Sequence, residues 1–219
     1  MAEQLSFPQP RQTSFAPHDF YPSDASAVAR GLLDDVSRWP NGKLVLTGEA
    51  GSGKTHLAHI WAGEAGGKLI AAPDIPTRSE RPVAVDQADL VAGDAAAEEA
   101  LFHLHNNLAT AGLPLLIIAR TAPATWPIKL PDLRSRLEAT TVAHIDEPDD
   151  DALTAILLKL MADRQLNPAP DLARYLTARM GRSYVEIARI VEALDALSLA
   201  EKRNITTRLA ARVLDAGHE

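Results

Sequence analysis

Cysteine is absent from this 219-residue chain, so disulfide bonds and thiolate metal sites are excluded. Long apolar runs are absent too: the longest, at residues 113–119, is far shorter than the roughly 20 residues that a membrane helix needs. The first residues, Met1-Ala2-Glu3-Gln4, lack the basic stretch and apolar run of a signal peptide. Together these absences predict a cytoplasmic protein without a membrane partner.

Positive charge is in short supply, with 22 Lys and Arg residues against 29 Asp and Glu residues and a net charge of -7. Non-specific DNA binding relies on Lys and Arg side chains that neutralise phosphates, so this composition disfavours it, although a local basic patch remains compatible. The seven histidines show no spacing typical of metal ligands; His103 and His105 are two residues apart and would diverge on a helix.

Apolar residues are plentiful, at 46% of the chain, which is enough for a folded globular core. Patterning predicts buried strands at residues 43–47, 68–72, 82–86, 115–119 and 140–145, and helices at 24–38, 54–64 and 95–111. Strands that alternate with helices indicate the α/β class, with a parallel sheet in a three-layer core.

The pattern changes after residue 148, because only helical periodicity follows, at 149–165, 171–180, 184–199 and 206–214. The other end of the chain differs again: residues 1–22 contain four prolines and are predicted to be irregular. We therefore divide the chain into an N-terminal tail at 1–14, an α/β core at 15–147 and a small all-helical unit at 148–219.

A phosphate-binding loop is predicted between the first strand and the helix that follows it. The segment Gly48-Glu49-Ala50-Gly51-Ser52-Gly53-Lys54-Thr55 has the pattern of a glycine, four residues, then Gly-Lys-Thr. Its glycines let backbone N–H groups turn toward a phosphate, and the helix N-terminus adds a favourable dipole. We expect Lys54 to reach the outer phosphates and the Thr55 hydroxyl to ligate Mg²⁺.

An acidic partner for this loop is expected at the end of a neighbouring strand. The run Val83-Ala84-Val85-Asp86 fits, and Asp86 is predicted to hold the metal through water. The next residue is Gln87, where hydrolysing motor ATPases usually place a Glu or Asp that activates water. Because Gln is a poor base, we expect weak or no ATP hydrolysis by this site alone.

The motifs together resemble the AAA+ ATPases of the replication initiator DnaA. Gly51-Ser52-Gly53-Lys54-Thr55-His56-Leu57, Asp86 and Leu133-Arg134-Ser135-Arg136-Leu137 occur in the order seen in that family. Upstream, Phe15 and Asp19-Phe20-Tyr21-Pro22-Ser23 resemble the segment that packs near adenine there. The resemblance covers about residues 15–215 and implies that ATP or ADP binds with Mg²⁺, contacted by the phosphate loop and by Phe20, Tyr21 and His56.

Within this family, the chain is similar to the short homologues of the Hda type, because it stops at Glu219, straight after the helical unit that would be the AAA+ lid. Such proteins lack the DNA-binding domain of DnaA, so no direct sequence-specific DNA binding is expected. They act with the replicative sliding clamp, the beta subunit of DNA polymerase III, to stimulate hydrolysis of DnaA-bound ATP, which represses re-initiation. Their N-terminal clamp-docking peptide is resembled here by Gln4-Leu5-Ser6-Phe7-Pro8, although a single Phe7 stands at the anchor end.

The same resemblance assigns Arg136 as an arginine finger that acts in trans on the nucleotide of a neighbouring subunit, with Arg134 in support. A guanidinium at that place stabilises the charge on a phosphoryl group in transfer. The alternative is a surface arginine on a helix, paired with Asp132 or Glu138.

Two sensor positions of the family are less well matched. Thr121 falls where the first polar sensor is expected, although an ordinary turn at a strand end is nearly as good an interpretation. Val185 occupies the place of the second sensor, an arginine at the start of the long lid helix. Arg182 or Arg189 could substitute from an adjacent turn.

Three functions are compatible with the sequence. The first is a nucleotide-binding regulator that is tethered to the clamp and acts on DnaA. The second is an active ATPase, similar to DnaA or a helicase loader, that acts on DNA; Gln87 and the acidic net charge count against it. The third is an adaptor whose nucleotide is structural. Self-association is left open.

The tail generates the first testable prediction: replacing Gln4 and Phe7 together by alanine should abolish clamp binding. Phe7 would be the buried apolar anchor, and such anchors carry most of the energy of a short peptide interface. Surface plasmon resonance with immobilised clamp measures the loss, and nucleotide affinity should stay unchanged. Binding of the double variant at wild-type strength would refute the docking peptide.

Overall fold

The computed structural model describes residue 20, residues 23–201 and residues 204–216. The predicted clamp peptide, Gln4-Leu5-Ser6-Phe7-Pro8, lies outside the described residues, and so does Tyr21. The expectations for these positions remain predictions.

Five strands and eight α-helices make up the described chain. The strands are β1 (Lys43–Gly48), β2 (Lys68–Ala71), β3 (Val83–Asp86), β4 (Leu115–Ile118) and β5 (Thr141–Ile145). The helices are α1 (Asp24–Leu33), α2 (Lys54–Glu64), α3 (Ala95–Thr110), α4 (Pro131–Glu138), α5 (Asp150–Asp163), α6 (Leu172–Thr177), α7 (Tyr184–Glu201) and α8 (Thr207–Ala216). In the residues described, no helix combines the length and apolar character needed to cross a membrane.

All five strands are parallel and form one sheet in the order β2-β3-β4-β1-β5. Strand β4 therefore lies between β1 and β3, with Ile117 paired to Val45 on one side and to Val85 on the other. The central strands are buried along their whole length, as expected for a parallel sheet covered on both faces. This order brings the carboxyl ends of β1, β4 and β3 to one edge of the sheet.

Each face of the sheet has its own apolar layer, and the side chains of a strand alternate between the two. Val45, Val85 and Ile117 pack with α3 and α4, whose buried residues are Leu101, Leu104, Leu108, Leu133 and Leu137. Leu46 and Leu116 pack on the opposite face with α1 and α2, through Ala29, Leu33, Leu57, Ala58 and Trp61. The three-layer α/β core predicted from the sequence is confirmed.

Helices α5 to α8 form the C-terminal unit around a separate core. Its fully buried residues include Leu153, Leu157, Leu172, Leu176, Ile187, Ile190, Val191, Leu194 and Ala210. These positions recur every three or four residues along each helix, which is the spacing of one buried helix face. The predicted small all-helical unit is therefore present.

Two helices differ from the sequence-based expectation. Helix α1 ends at Leu33 rather than near residue 38, because the Asp35 carboxylate accepts from the backbone N–H of Ser37 and starts a short 3₁₀ turn, Val36–Arg38. Trp39 then stacks on Trp61 with ring centroids 5.4 Å apart. Helix α4, in contrast, was not among the predicted helices, although Pro131 at its first position is a known start signal.

A buried lysine at the start of β1 generates a prediction about stability. Lys43 is 2% exposed, its ammonium donates to the carbonyl oxygen of Leu113, and burial lowers its pKa from 10.5 to about 8. Between these two pH values the unfolded chain binds a proton that the folded chain does not, so the free energy of unfolding should rise with pH. Over this pH range the free energy of unfolding of the wild type should rise by about 3 kcal/mol relative to that of Lys43→Met.

Urea unfolding at several pH values between 7.5 and 10.5 measures this difference. Lys68→Met, at an exposed position of β2, is the control and should follow the wild type. If Lys43→Met also follows the wild type at every pH, the ammonium of Lys43 is not desolvated in the folded protein.

Candidate functional site

The predicted phosphate loop lies between β1 and α2, at the edge of the sheet where β1, β4 and β3 end. Gly48 and Gly51 are essential to its shape: a Cβ on Gly48 would lie 2.6 Å from the carbonyl oxygen of Ile145, and one on Gly51 would lie 2.5 Å from Cβ of Ser183. Gly51 and Gly53 also have φ angles of 79° and 95°, which favour glycine. Glu49 and Ala50 form the exposed part of the loop.

Lys54 is buried, and its ammonium is held inside the loop. It donates to the carbonyl oxygens of Gly48 at 2.6 Å and Glu49 at 2.7 Å, and a longer contact of 3.4 Å reaches Oγ of Ser52. An ammonium has three donors, so two strong bonds fix its position and the third N–H can turn to a phosphate. Burial lowers the pKa of Lys54, and the carboxylates of Asp86 and Glu49 oppose that shift.

Thr55 and Asp86 come together as the motif requires. The hydroxyl of Thr55 donates to Oδ2 of Asp86 at 2.8 Å, although 31 residues separate them in the chain. The other oxygen, Oδ1, accepts from the backbone N–H of Gln87 at 2.9 Å, which fixes the carboxylate plane. A hydroxyl beside an oriented carboxylate is a set of hard oxygen donors suited to Mg²⁺, which keeps several waters and needs few protein ligands. Among the described residues there is no cluster of three or more His, Cys, Asp or Glu residues that could hold a metal.

An apolar pocket adjoins the loop, and its wall combines the core with the helical unit. Phe20 and His56 meet edge to face with ring centroids 5.5 Å apart, and His56 meets Tyr184 in the same way at 6.5 Å. Ile145 and Pro148 also line the pocket, together with Ser23, Ser26, Gly51, Ser52, Gly53 and Asp146. Aromatic and aliphatic walls beside a phosphate loop are suited to a flat base. Sequence reasoning identified Phe20 and His56 here but missed Tyr184.

The start of α7 contacts the phosphate loop directly. The backbone N–H of Tyr184 donates to the carbonyl oxygen of Gly51 at 3.0 Å, and Ser183 caps the helix through a 3.2 Å bond from the N–H of Glu186. Val185, at the second sensor position, is 65% exposed. The helical unit therefore touches the site through backbone atoms and the Tyr184 ring.

The two arginines considered as substitutes for Val185 are held in ion pairs. Arg182 donates to Oδ1 of Asp150 at 2.6 Å and to the carbonyl oxygen of Pro148. Arg189 makes two bonds to the carboxylate of Glu186, which raises its pKa. Both guanidinium groups are held by carboxylates of the helical unit. The structure therefore does not support either arginine as a replacement for the second sensor.

Two charged residues near Lys54 were missed by sequence reasoning. Arg120, directly after β4, lowers the pKa of Lys54 through its charge, whereas Asp89, in the 3₁₀ turn Ala88–Val91, raises it. Both effects require proximity to the phosphate loop. The sequence offered only its place after the predicted buried strand 115–119; that this strand lies between β1 and β3 is a feature of the folded sheet.

Thr121, the predicted first sensor, follows Arg120 at the end of β4 and is exposed. Its hydroxyl accepts from Oγ1 of Thr125 at 3.1 Å, and its carbonyl oxygen accepts from the indole N–H of Trp126. These are the bonds of a local turn, and among the described residues none connects Thr121 to the phosphate loop.

The predicted finger, Arg136, is exposed on α4, and its recorded side-chain contact is with α3. Its guanidinium carbon lies 5.3 Å from the ring centroid of Phe102, and burial, together with the charges of Lys43 and Arg136, lowers the pKa of His105. For the described residues the structure records no ion pair of Arg136 with Asp132 or Glu138, and Arg134 bonds to the carbonyl oxygen of Ile128.

Comparison with known proteins agrees with this arrangement. Residues 149–214 match the family described as the lid domain of Hda. Domain III of the replication initiation protein DnaA from Thermotoga maritima superposes with a TM-score of 0.78 at 16% identity, over 95% of this chain and 98% of that chain. AMPPCP-bound DnaA from Aquifex aeolicus gives 0.72 at 19% identity, over 87% and 67%. The RuvB Holliday junction branch migration motor from Thermotoga maritima gives 0.63 at 18% identity, over 80% and 61%. These likenesses show that the chain shares the fold of DnaA domain III and RuvB, and that residues 149–214 are similar to the Hda lid family.

The geometry of Lys54 predicts that Lys54→Ala should weaken nucleotide binding while the fold stays intact. Loss of a charge-assisted contact to phosphate costs on the order of 1.5–3 kcal/mol, which is roughly ten- to a hundredfold in affinity. Titration with fluorescent ADP measures the change, and Lys68→Ala on the exposed strand β2 is the control. An unchanged affinity in folded Lys54→Ala protein would remove Lys54 from the site.

Proposed function

We propose that this DnaA-related AAA+ protein with an Hda-type lid is a nucleotide-binding regulator of replication initiation. In this proposal it binds ATP or ADP with Mg²⁺, is tethered to the sliding clamp through its N-terminal peptide, and promotes hydrolysis of ATP bound to DnaA. The observation that carries the proposal is the presence of a well-formed phosphate loop together with Arg136, an exposed arginine on α4 whose recorded contact is the Phe102 ring of α3.

Nucleotide binding is supported by the groups around the loop. The third N–H of Lys54, which makes only a 3.4 Å contact with Oγ of Ser52, could turn to the outer phosphates, and the N-terminus of α2 points its backbone N–H groups at the same place. The pocket between Phe20, His56 and Tyr184 would hold the base. Thr55 and water held by Asp86 would bind Mg²⁺, which supplies positive charge that neutralises the phosphates.

Weak hydrolysis by this site alone is supported by Gln87. Its amide cannot take a proton from water, and its backbone has φ 55° and ψ 37°, a left-handed conformation that the turn after β3 imposes. The side chain is exposed. A site of this kind is expected to bind nucleotide but to hydrolyse ATP slowly.

Asp89 favours a second candidate function, an active ATPase. Its carboxylate is close enough to raise the pKa of Lys54 and follows Gln87 by two residues. A carboxylate near the phosphates is the type of group that orients attacking water. Steady-state ATP hydrolysis by the protein alone, compared with Asp89→Asn, separates the two functions, because a regulator should show little turnover in either protein.

Action in trans is supported by the exposure and chemistry of Arg136. A guanidinium has a planar fork of N–H donors that fits phosphoryl oxygens, and it keeps its charge at every physiological pH. When supplied by a neighbouring subunit, such a group meets the charge that develops only in the transition state, worth ~10³–10⁵ in rate. The clamp tether would raise the local concentration of this arginine around DnaA.

We predict that Arg136→Ala should keep nucleotide and clamp binding but lose stimulation of DnaA. Arg136→Lys should also fail, because a point ammonium cannot reproduce the planar fork. Arg134→Ala is the matched control on the same helix and should do less harm, since its guanidinium bonds to the backbone of Ile128. The assay is single-turnover hydrolysis of ATP preloaded on DnaA, with DNA-loaded clamp present.

Full stimulation by Arg136→Ala would reject the finger. The adaptor function would then account better for the protein, with its nucleotide serving a structural role. Loss of clamp binding in Arg136→Ala would equally contradict the proposal, because the arginine is assigned to a different surface from the tail.

A further inference from the structure

Glu98 is a buried carboxylate on α3 that takes no part in the nucleotide site. It is 1% exposed, and its oxygens accept only from backbone N–H groups. Oε1 accepts from Gly93 at 2.7 Å and from Lys129 at 3.1 Å, and Oε2 accepts from Lys129 at 3.0 Å and from Leu130 at 2.8 Å. Both oxygens are therefore used.

The three N–H groups belong to two segments that are distant in the chain. Gly93 lies in the segment between β3 and α3. That segment follows Asp86, the carboxylate proposed to hold Mg²⁺ through water. Lys129 and Leu130 directly precede α4, and Leu130 is the N-cap residue of that helix. One side chain thus joins the turn after β3 to the start of the helix that carries Arg136.

The N-cap residue of α4 makes no side-chain hydrogen bond, and Glu98 adds a buried carboxylate at this helix N-terminus beside the acidic Asp132 of the first turn. Across the same junction, Nζ of Lys129 donates to the carbonyl oxygen of Gly93 at 3.1 Å, but that bond is exposed. Both connections involve an ionised group and are charge-assisted. The Glu98 carboxylate is buried and accepts from three N–H groups, whereas water competes for the single exposed bond of Lys129, so the carboxylate is the stronger connection.

Electrostatics agree that Glu98 is ionised. Burial alone raises the pKa of a carboxyl group, but the backbone N–H groups of Gly93, Leu130 and Lys129 outweigh burial here, and the pKa of Glu98 lies below its ordinary value. The side chain accordingly stays an acceptor-only carboxylate at any pH above the acid range.

The position of Arg136 follows from this anchor. Four residues beyond Glu98, and so on the same side of α3, Phe102 lies against the guanidinium of Arg136. Leu133 and Leu137 bury the inner face of α4 in the core, which holds the helix down, while the start of the helix depends on Glu98. A shift at Leu130 would therefore move Arg136 relative to the Phe102 ring.

We propose that Glu98 is a positioning residue that holds α4, and with it Arg136, in the orientation that a partner's nucleotide requires. This inference rests on the proposed function of Arg136 as a finger in trans. The carboxylate does not touch nucleotide itself; it acts through the backbone of Lys129 and Leu130. In Glu98→Gln the amide nitrogen would face an N–H group whichever way it turned, so either the bond from Gly93 or the bond from Leu130 would be lost.

The test is a titration of Glu98→Gln in the single-turnover assay of DnaA-bound ATP with DNA-loaded clamp. A displaced catalytic group of this kind costs up to about a hundredfold in rate. We expect the maximal rate to fall roughly ten- to a hundredfold, while the half-saturating concentration and the affinity for ADP stay near wild type. Glu99→Gln is the matched control, because Glu99 is 70% exposed on the same helix and pairs only with His103.

Hydrogen exchange provides a second readout that a purely structural role would not move selectively. Amides of residues 128–138 should exchange faster in Glu98→Gln, whereas amides of α2 and β1 should not. If Glu98→Gln does not fold, Glu98→Asp keeps the charge on a shorter side chain and should show the same pattern to a smaller degree.

Two results would overturn the proposal. Full stimulation by folded Glu98→Gln, with Arg136→Ala inactive in the same assay, would reject positioning by Glu98 and leave the finger intact. Faster exchange throughout the core with unchanged stimulation would make Glu98 a stability residue only. Full stimulation by Arg136→Ala would instead reject the proposed function itself, so the two failures are distinguishable.

Discussion

The parallel alignment of β1, β4 and β3 is the constraint on which the rest of this structure depends. Because β4 pairs with β1 and β3 at once, their carboxyl ends share one edge, and the segments that follow them meet there. Thr55 reaches Asp86 at 2.8 Å only through this arrangement. The sheet is buried on both faces, so a shift in the register of one strand would disturb two apolar layers at once. The relative positions of the residues in the proposed nucleotide site therefore depend on the packing of the core.

Helix α3 connects the two ends of the molecule that matter for function. It begins beside the turn after β3, where Asp94 caps it and Glu98 binds the start of α4, and it continues past Phe102 to His105. Burial, reinforced by the charges of Lys43 and Arg136, lowers the pKa of His105 to about 4, so the ring is neutral at physiological pH. Burial therefore sets the protonation of the titratable side chains beneath the surface that presents Arg136, namely His105 and Lys43.

The lid and the core meet at the phosphate loop through backbone atoms more than through charge. The bond from Tyr184 N–H to Gly51, and the close approach of Ser183 to the same glycine, need no arginine at position 185. Arg182 and Arg189 are committed to carboxylates on the lid surface. In this protein the contribution of α7 to the site is therefore shape and apolar contact with His56, a different solution from a cation that senses phosphate.

Much of the fold was predictable from local pattern. Buried strands without charge, such as residues 115–118, and the Gly-rich turn before Lys54 have few alternative conformations, so their elements agree with the structure to within about two residues. The helical periodicity after residue 148 was equally clear. Helix α4 was missed because eight residues with two buried leucines provide too little pattern. Helix α1 was predicted too long because the bond from Ser37 to Asp35 that ends it is a single side-chain contact, which apolar periodicity does not reveal.

The residues of the candidate site also fall into two groups, those that local sequence predicted and those that only the folded chain brings together. The sequence by itself determined the chemistry of the phosphate loop, since a spacing of glycines, Lys54 and Thr55 along one strand, loop and helix sets their relative positions. Only the tertiary structure decided which residues join them from elsewhere: Tyr184 from α7, Arg120 from the end of β4, Asp89 from the turn after β3. It also decided that Arg136 lies against Phe102 of α3 and that Glu98 binds the start of α4. These are contacts between elements separated by thirty or more residues, and their existence depends on strand order and helix packing, which no local pattern encodes.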